Sequence, residues 1–302
     1  MAIIDAHAHI VESFKGIGFR GETRYLGNGI ERWISGEETR VLPEGFGHDC
    51  FSFVDLLRIM DKNDTEKAVL MQGSIYGLQN EYAAEALKKH PDRFAALGSF
   101  DPYCISKETI MRRLIEDFHF TGLKFEMSSR GGFMGFHPYF LVDGEEMRCV
   151  FEYAQKYALP VSLDIGSFEQ KSFQLDRIVK LAKEYDRISF VIEHMFCAAN
   201  NQTEQVKAAL RMIQNRSNIY VTLASLPINC SKAHLSGYQD VLSYYREAVE
   251  MIGSNRIMWG SDAPVTLTKN TYAELISIFS NEYPSKITSN VFFNTAKHVY
   301  HL

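Results

Sequence analysis

The strongest constraint on the fold is an alternation that runs the whole length of the chain. Apolar runs begin at residues 2, 67, 93, 122, 160, 188, 218 and 256, and each is followed by a stretch with apolar residues at helical spacing. Several of the runs are continuously apolar, the pattern of parallel strands covered on both faces. Phe53, Leu56, Leu57 and Met60 form the first helical face, with Ser52 placed to cap it. Further helices are predicted over residues 80–90, 106–118, 145–157, 174–185, 202–215 and 238–252. Eight β-α units in 302 residues, with no Pro/Gly/Ser-rich linker, predict one α/β domain over residues 1–302, a (β/α)8 TIM barrel.

One segment breaks the alternation. Between Val11 and Cys50 periodicity is lost, and glycines mix with Arg20, Arg24, Arg32 and Arg40 and with Phe19, Tyr25 and Trp33. It reads as a long loop. Because it follows the first strand, it is expected to lie over the C-terminal mouth of the barrel, where such barrels keep their sites.

Composition narrows the partners. A net charge of −5 without a basic stripe argues against nucleic acid, and no apolar run approaches the roughly 18 residues that a membrane span needs. Asp5 and the adjoining histidines interrupt the place where a signal peptide would carry its apolar core. The five cysteines are scattered and form no C-x-x-C pair, so neither a disulfide framework nor a cysteine zinc site is indicated. The expectation is a cytoplasmic protein with reduced thiols and a small-molecule substrate; a homodimer is allowed.

Ionisable groups recur where the strands end. His7 and His9, two residues apart in Ala2-Ile-Ile-Asp-Ala-His7-Ala-His9-Ile10, project from one face of the first strand, and Asp5 shares their parity. Lys124 lies in the fourth strand, Asp164 near the end of the fifth, Glu193 and His194 at the end of the sixth, and Asp262 just after the eighth. Each has an ordinary reading as a turn, core or snorkelling residue. Their common position at strand ends favours one shared site. Two histidines with one or two carboxylates suit a divalent cation, Zn²⁺ first and Mn²⁺ second, with a coordination position left open. His194 and Asp262 are then the candidates for moving protons. No G-x-S-x-G, Walker or strand-linked G-x-G-x-x-G motif is present, and Cys197 reads as a structural thiol.

The chain resembles the amidohydrolase superfamily, in the amidohydrolase-related group that includes aminocarboxymuconate-semialdehyde decarboxylase, resorcylate decarboxylases and pyrone-dicarboxylate lactonase. The resemblance rests on Asp5-Ala-His7-Ala-His9, Thr121-Gly-Leu-Lys124, Ile192-Glu-His194 and Arg256-Ile-Met-Trp-Gly-Ser-Asp262-Ala-Pro264, among other motifs along the whole length. It implies His7, His9 and Asp262 as metal ligands and His194 as the residue acting on water or substrate. Where the family usually places a histidine at the end of strand five, this chain has Asp164, expected here as a further ligand.

The resulting expectation is a metal-dependent hydrolase that cleaves a lactone or amide-type bond in a small carboxylated molecule. Lys124, Arg130, Arg20 and Arg24 are expected to meet the carboxylate, with His48 joining them. Three alternatives stay open at this point: a metal-dependent non-oxidative decarboxylase of an aromatic or muconate-type acid, a metal-free lactonase, and an inactive ligand-binding barrel.

Overall fold

In the computed structural model of the protein, residues 1–129, 131–230 and 233–302 are described. Among the described residues twelve strands occur in chain order: β1 (Ile3–Ala8), β2 (Ile17–Gly18), β3 (Gly21–Gly27), β4 (Ile30–Trp33), β5 (Glu38–Arg40), β6 (Thr65–Leu70), β7 (Phe94–Gly98), β8 (Gly122–Glu126), β9 (Val161–Asp164), β10 (Phe190–Ile192), β11 (Ile219–Thr222) and β12 (Ile257–Met258). Strands β1 and β6 to β12 form one eight-stranded parallel sheet whose spatial order follows the chain. Its two ends meet through backbone bonds. The Ala6 amide donates to Trp259 O (3.1 Å), that of Asp262 to His7 O (2.7 Å) and that of His9 to Ala263 O (2.9 Å), which closes the barrel. The fold is the expected TIM barrel, with the strands beginning within two residues of the predicted positions.

The helices between the strands form for local reasons. Phe53–Lys62 starts at a capping box in which Ser52 and Asp55 satisfy each other's backbone amides, and it buries Phe53, Leu56 and Met60. Glu145–Tyr157 and Leu175–Glu184 likewise turn one apolar face inward. Among the described residues no helix is long and apolar enough to cross a membrane.

Two buried layers follow from strand alternation. Ala68, Leu70, Leu123, Phe125, Leu163, Phe190, Ile192 and Val221 pack outward in the larger cluster with the helices. Ile4, Ala6, Val69, Met71, Leu97, Val191, Tyr220 and Met258 form the second cluster with Val299 and Tyr300 of the C-terminal segment. The inner positions turn polar towards the C-terminal ends of the strands, at Lys124, Ser162, Glu193 and Thr222, all buried. In β1 the register shifts between Asp5 and Ala8, so the simple parity shared by Asp5 and the histidines does not hold. Asp5 instead accepts bonds from the Ser261 amide (2.8 Å) and the Tyr272 hydroxyl (2.9 Å), tying β1 to the segment after β12.

The stretch from Val11 to Cys50 is not a plain loop. Strands β2 to β5 form a separate four-stranded antiparallel sheet within it. The β3–β4 hairpin turns at Asn28 and Gly29, both with positive φ (51° and 74°), as a tight right-twisted hairpin requires. The sheet is joined to the barrel through the 73–77 turn: Lys15 N–H donates to Tyr76 O (3.0 Å), and Phe14 lies against the Tyr76 ring.

Candidate active site

Four side chains converge at the C-terminal end of the barrel. His7 Nδ1 faces Glu193 Oε2 at 2.8 Å, and neither residue has solvent exposure. His9 Nδ1 donates to Met71 O at 2.9 Å. These bonds place the ring protons on Nδ1 in both histidines, so both Nε2 atoms present lone pairs. The two Nε2 atoms lie 3.1 Å apart, and Asp262 Oδ1 is 3.0 Å from His9 Nε2 and 3.5 Å from His7 Nε2.

Three acceptor atoms thus face one another with no proton between them. Burial opposes adding one to His7: desolvation drives its imidazole down to about 4, against the opposing pull of Glu193 and Asp262. Burial works to raise the Asp262 carboxyl, but the surrounding imidazoles, His9 first and then His7 and His194, outweigh it and hold the group ionised. This donor set fits a divalent cation seated among His7 Nε2, His9 Nε2 and Asp262 Oδ1, which meets all three lone pairs at once.

The surrounding groups hold the set in place. The hydroxyl of Ser162 donates to Glu193 Oε1 and that of Thr222 to Glu193 Oε2 (2.6 Å), while Thr222 also accepts the His194 amide (2.9 Å). Burial would lift the Glu193 carboxyl, yet His7, His194 and Lys124 bring it down to about 2. Ser225 donates its hydroxyl to Asp262 Oδ2. Orientation of ligands by such neighbours is a usual feature of metal sites.

His194 stands beside this group, its ring centroid 4.9 Å from that of His7. Its Nδ1 donates to Ala224 O (3.1 Å), leaving Nε2 free. Burial works to lower its pKa, but Asp262, Asp164 and Glu193 raise it above the ordinary value. The backbone here is unusual. His194, Met195, Phe196 and Cys197 all have positive φ (60°, 46°, 63° and 49°), as do Ser225 (57°) and Asp262 (54°). Left-handed backbone at non-glycine residues costs roughly 1–2 kcal/mol each, and such strain concentrates where side chains must be aimed.

The remaining expected site residues are placed as follows. Asp164 Oδ1 accepts from the Gly166 amide (2.9 Å) and the Cys197 thiol (3.5 Å), and among the described residues it joins neither ligand-type cluster around His7. Cys197 is held protonated by burial and by Asp164. Lys124 is buried and donates to Gln72 O (2.7 Å) and Glu126 Oε1 (3.3 Å). Arg20 pairs with Glu37, and Arg24 is exposed on β3. His48 faces Asp55 at 3.0 Å, in the cap of the first helix. Arg130 lies outside the described residues. Three residues not singled out by sequence reasoning, Ser162, Thr222 and Ser225, hold the two carboxylates; strand parity at β9 and β11 is the signal that marks the first two.

An eight-stranded parallel barrel with two histidines at the end of its first strand and an aspartate after its last defines a class of barrel enzymes. The amidohydrolase family model matches residues 4–302, and the chain belongs to this family. Comparison with curated proteins finds no match. Among solved structures, the chain is similar to an amidohydrolase from Burkholderia multivorans with bound zinc (16% identity, 100% of both chains, TM-score 0.74). It is also similar to a probable 2-pyrone-4,6-dicarboxylic acid hydrolase from Acinetobacter baumannii (14% identity, 100% of both chains, TM-score 0.69). A third likeness is to 5-carboxyvanillate decarboxylase from Sphingomonas paucimobilis (15% identity, 82% of both chains, TM-score 0.57).

Proposed function

We propose that the protein is a metal-dependent hydrolase that cleaves an ester-type (lactone) or amide-type bond in a small molecule. The observation that carries this reading is the facing of His7 Nε2, His9 Nε2 and Asp262 Oδ1, three acceptors that a divalent cation satisfies together. Zn²⁺ suits two imidazoles and one carboxylate, and Mn²⁺ is the second choice. When bound, a divalent cation supplies Lewis-acid polarisation and lowers the pKa of water towards neutrality.

The chain's own groups supply the rest. Glu193 keeps the His7 proton on Nδ1 and so keeps Nε2 available. His194, with Nδ1 committed to Ala224 O, offers Nε2 to hold or pass a proton at the attacking water or the leaving group. Asp262 serves both ends of the site, with one oxygen towards the histidines and the other on the Ser225 hydroxyl. Residues 11–50 are read as a cover over the mouth, excluding bulk water from the reacting bond.

Asp164 is not included among the ligands, because its carboxylate is engaged with Gly166 and Cys197. The test is a screen of lactones, esters, amides and aromatic acids on zinc-loaded and chelator-stripped protein, scoring hydrolysis products and CO₂ separately. Hydrolysis lost on stripping and restored by zinc supports the reading. CO₂ release without hydrolysis, or full activity after stripping, overturns it.

A further inference from the structure

A second group of ligand-type side chains lies where the 11–50 segment joins the first barrel helix. His48, Cys50 and Asp55 each bring one ligand-type atom, and the three atoms lie within 4.8 Å of one another. We propose that these residues form a second, peripheral zinc site, which clamps the end of the 11–50 segment to the N-terminal turn of the Phe53–Lys62 helix. None of them belongs to the His7–His9–Asp262 set, so the inference stands apart from the hydrolase reading.

The chain arranges these groups before any ion arrives. Gly47, with a φ of 100°, supplies the turn that precedes His48. The His48 ring lies against Phe46 (centroids 4.8 Å apart), and Phe46 lies against the buried Phe51 (5.7 Å). Phe51 is pinned to Val11 by two backbone bonds of 2.7 and 2.8 Å. Asp55 is fixed by the helix cap: Ser52 donates its amide (2.9 Å) and its hydroxyl to Oδ2, and Arg58 donates to Oδ1 at 3.3 Å. Such bonds aim a carboxylate in the way that neighbours of metal ligands usually do. His48 Nε2 meets the same Oδ2 at 3.0 Å. A cation takes the place of the proton in that bond, so both Ser52 bonds are kept.

The donor chemistry selects the ion. One imidazole nitrogen, one thiolate sulfur and one carboxylate oxygen are all zinc ligands, and the sulfur disfavours Mg²⁺ and Mn²⁺. Ligands bound roughly 2.0–2.3 Å from a tetrahedral zinc stand about 3.3–3.8 Å from one another, so separations between 3.0 and 4.8 Å close by small side-chain rotations. Burial, with Asp55 and Asp49 beside it, pushes the Cys50 thiol up, and without metal it keeps its proton at neutral pH. Burial also works to raise the Asp55 carboxyl, but the bonds from Ser52 and His48 outweigh it and keep the group ionised. On binding, the thiol proton leaves to solvent, and thiolate, carboxylate and dication then sum to zero charge. Water takes the fourth position. The His48 side chain is 45% exposed, which gives the ion a path from solvent. A site with a single cysteine leaves no C-x-x-C pair in the sequence.

The test is a cobalt(II) titration of the metal-free protein, because a thiolate ligand gives cobalt a near-ultraviolet charge-transfer band that imidazole and carboxylate ligands do not. The expected band saturates at one cobalt per chain and persists in His9→Ala, which removes a ligand of the central site. It is lost in Cys50→Ser and needs roughly tenfold more cobalt in His48→Ala. Excess zinc abolishes the band and protects Cys50 from alkylation by iodoacetamide, read by peptide mass spectrometry. Cobalt binding tightens between about pH 6 and about pH 8, as release of a thiol proton requires. Absence of the band overturns the proposal. So does a band that survives Cys50→Ser, one that His48→Ala leaves unchanged, or one that disappears in His9→Ala. A central site that takes no zinc, beside a band that behaves as expected, refutes the metal-dependent hydrolase and upholds the clamp.

Discussion

His7 and Glu193, 186 residues apart in the chain, meet through a 2.8 Å hydrogen bond between two fully buried side chains. The bond sets the tautomer of His7 and so aims its Nε2 at His9 and Asp262. Glu193→Gln keeps the shape but removes the charge that holds the proton on Nδ1. Zinc affinity, read by competition with a chromophoric chelator, is expected to fall about 10- to 100-fold, the usual cost of losing such a partner. An unchanged affinity would show that His7 needs no orienting group.

Asp164 is predicted to be dispensable for metal binding. Its carboxylate accepts from Gly166 N–H and the Cys197 thiol and lies apart from the clustered ligand-type atoms. Asp164→Ala should keep zinc affinity within about twofold, whereas His9→Ala, which removes a proposed imidazole ligand, should lose it by well over tenfold. Comparable losses in both variants would restore Asp164 to the ligand set.

Much of this architecture is legible in the sequence because burial on both faces leaves a plain mark. The strands are short apolar runs, and the residues that interrupt them at their ends, His7, His9, His194 and Asp262, are those that meet at the mouth. The sheet between β2 and β5 leaves no such mark. In β3, Gly21–Gly27, exposed and half-buried residues alternate, with charges and glycines among them. Only Asn28-Gly29 between two β-prone stretches signals its hairpin. The roles of Ser162, Thr222 and Ser225 depend on closure of the barrel, which brings distant strands side by side. Asp164 shows the opposite limit, since a strand-end position does not reveal which partners a short carboxylate will take.

Gly260 packs directly behind the proposed metal-ligand set. A Cβ there would lie 2.7 Å from His7 Cβ and 2.9 Å from His7 N. Gly260→Ala must therefore displace β1 or the segment after β12. We expect a stability loss of about 1–3 kcal/mol by thermal or denaturant unfolding, as overpacking usually costs, together with weaker zinc binding. Wild-type stability would contradict the close packing.

Glu31, on β4, is fully buried, and one of its carboxylate oxygens has no partner. Burial pushes its pKa up to about 7, against the lowering effect of the Thr23 and Gly16 hydrogen bonds. In the unfolded chain the group ionises near its ordinary value of about 4.3. Its contribution to stability is thus complete below about pH 4 and is lost as pH rises through 7. Tyr25 and Tyr76, which sense its charge, are themselves shifted upward and stay neutral over this range. Glu31→Gln should raise the melting temperature relative to wild type at pH 8, with the difference shrinking towards pH 4. A gain of equal size at both pH values would refute the buried-carboxyl explanation.

The central claim is that His7, His9 and Asp262 together hold a divalent cation. Anomalous X-ray scattering at the zinc edge, from crystals of zinc-loaded protein, tests it most directly. The account predicts one strong peak bounded by His7 Nε2, His9 Nε2 and Asp262 Oδ1, absent from crystals of His9→Ala prepared in the same way. Strong zinc peaks only elsewhere, or no peak at zinc concentrations that saturate related sites, would contradict it.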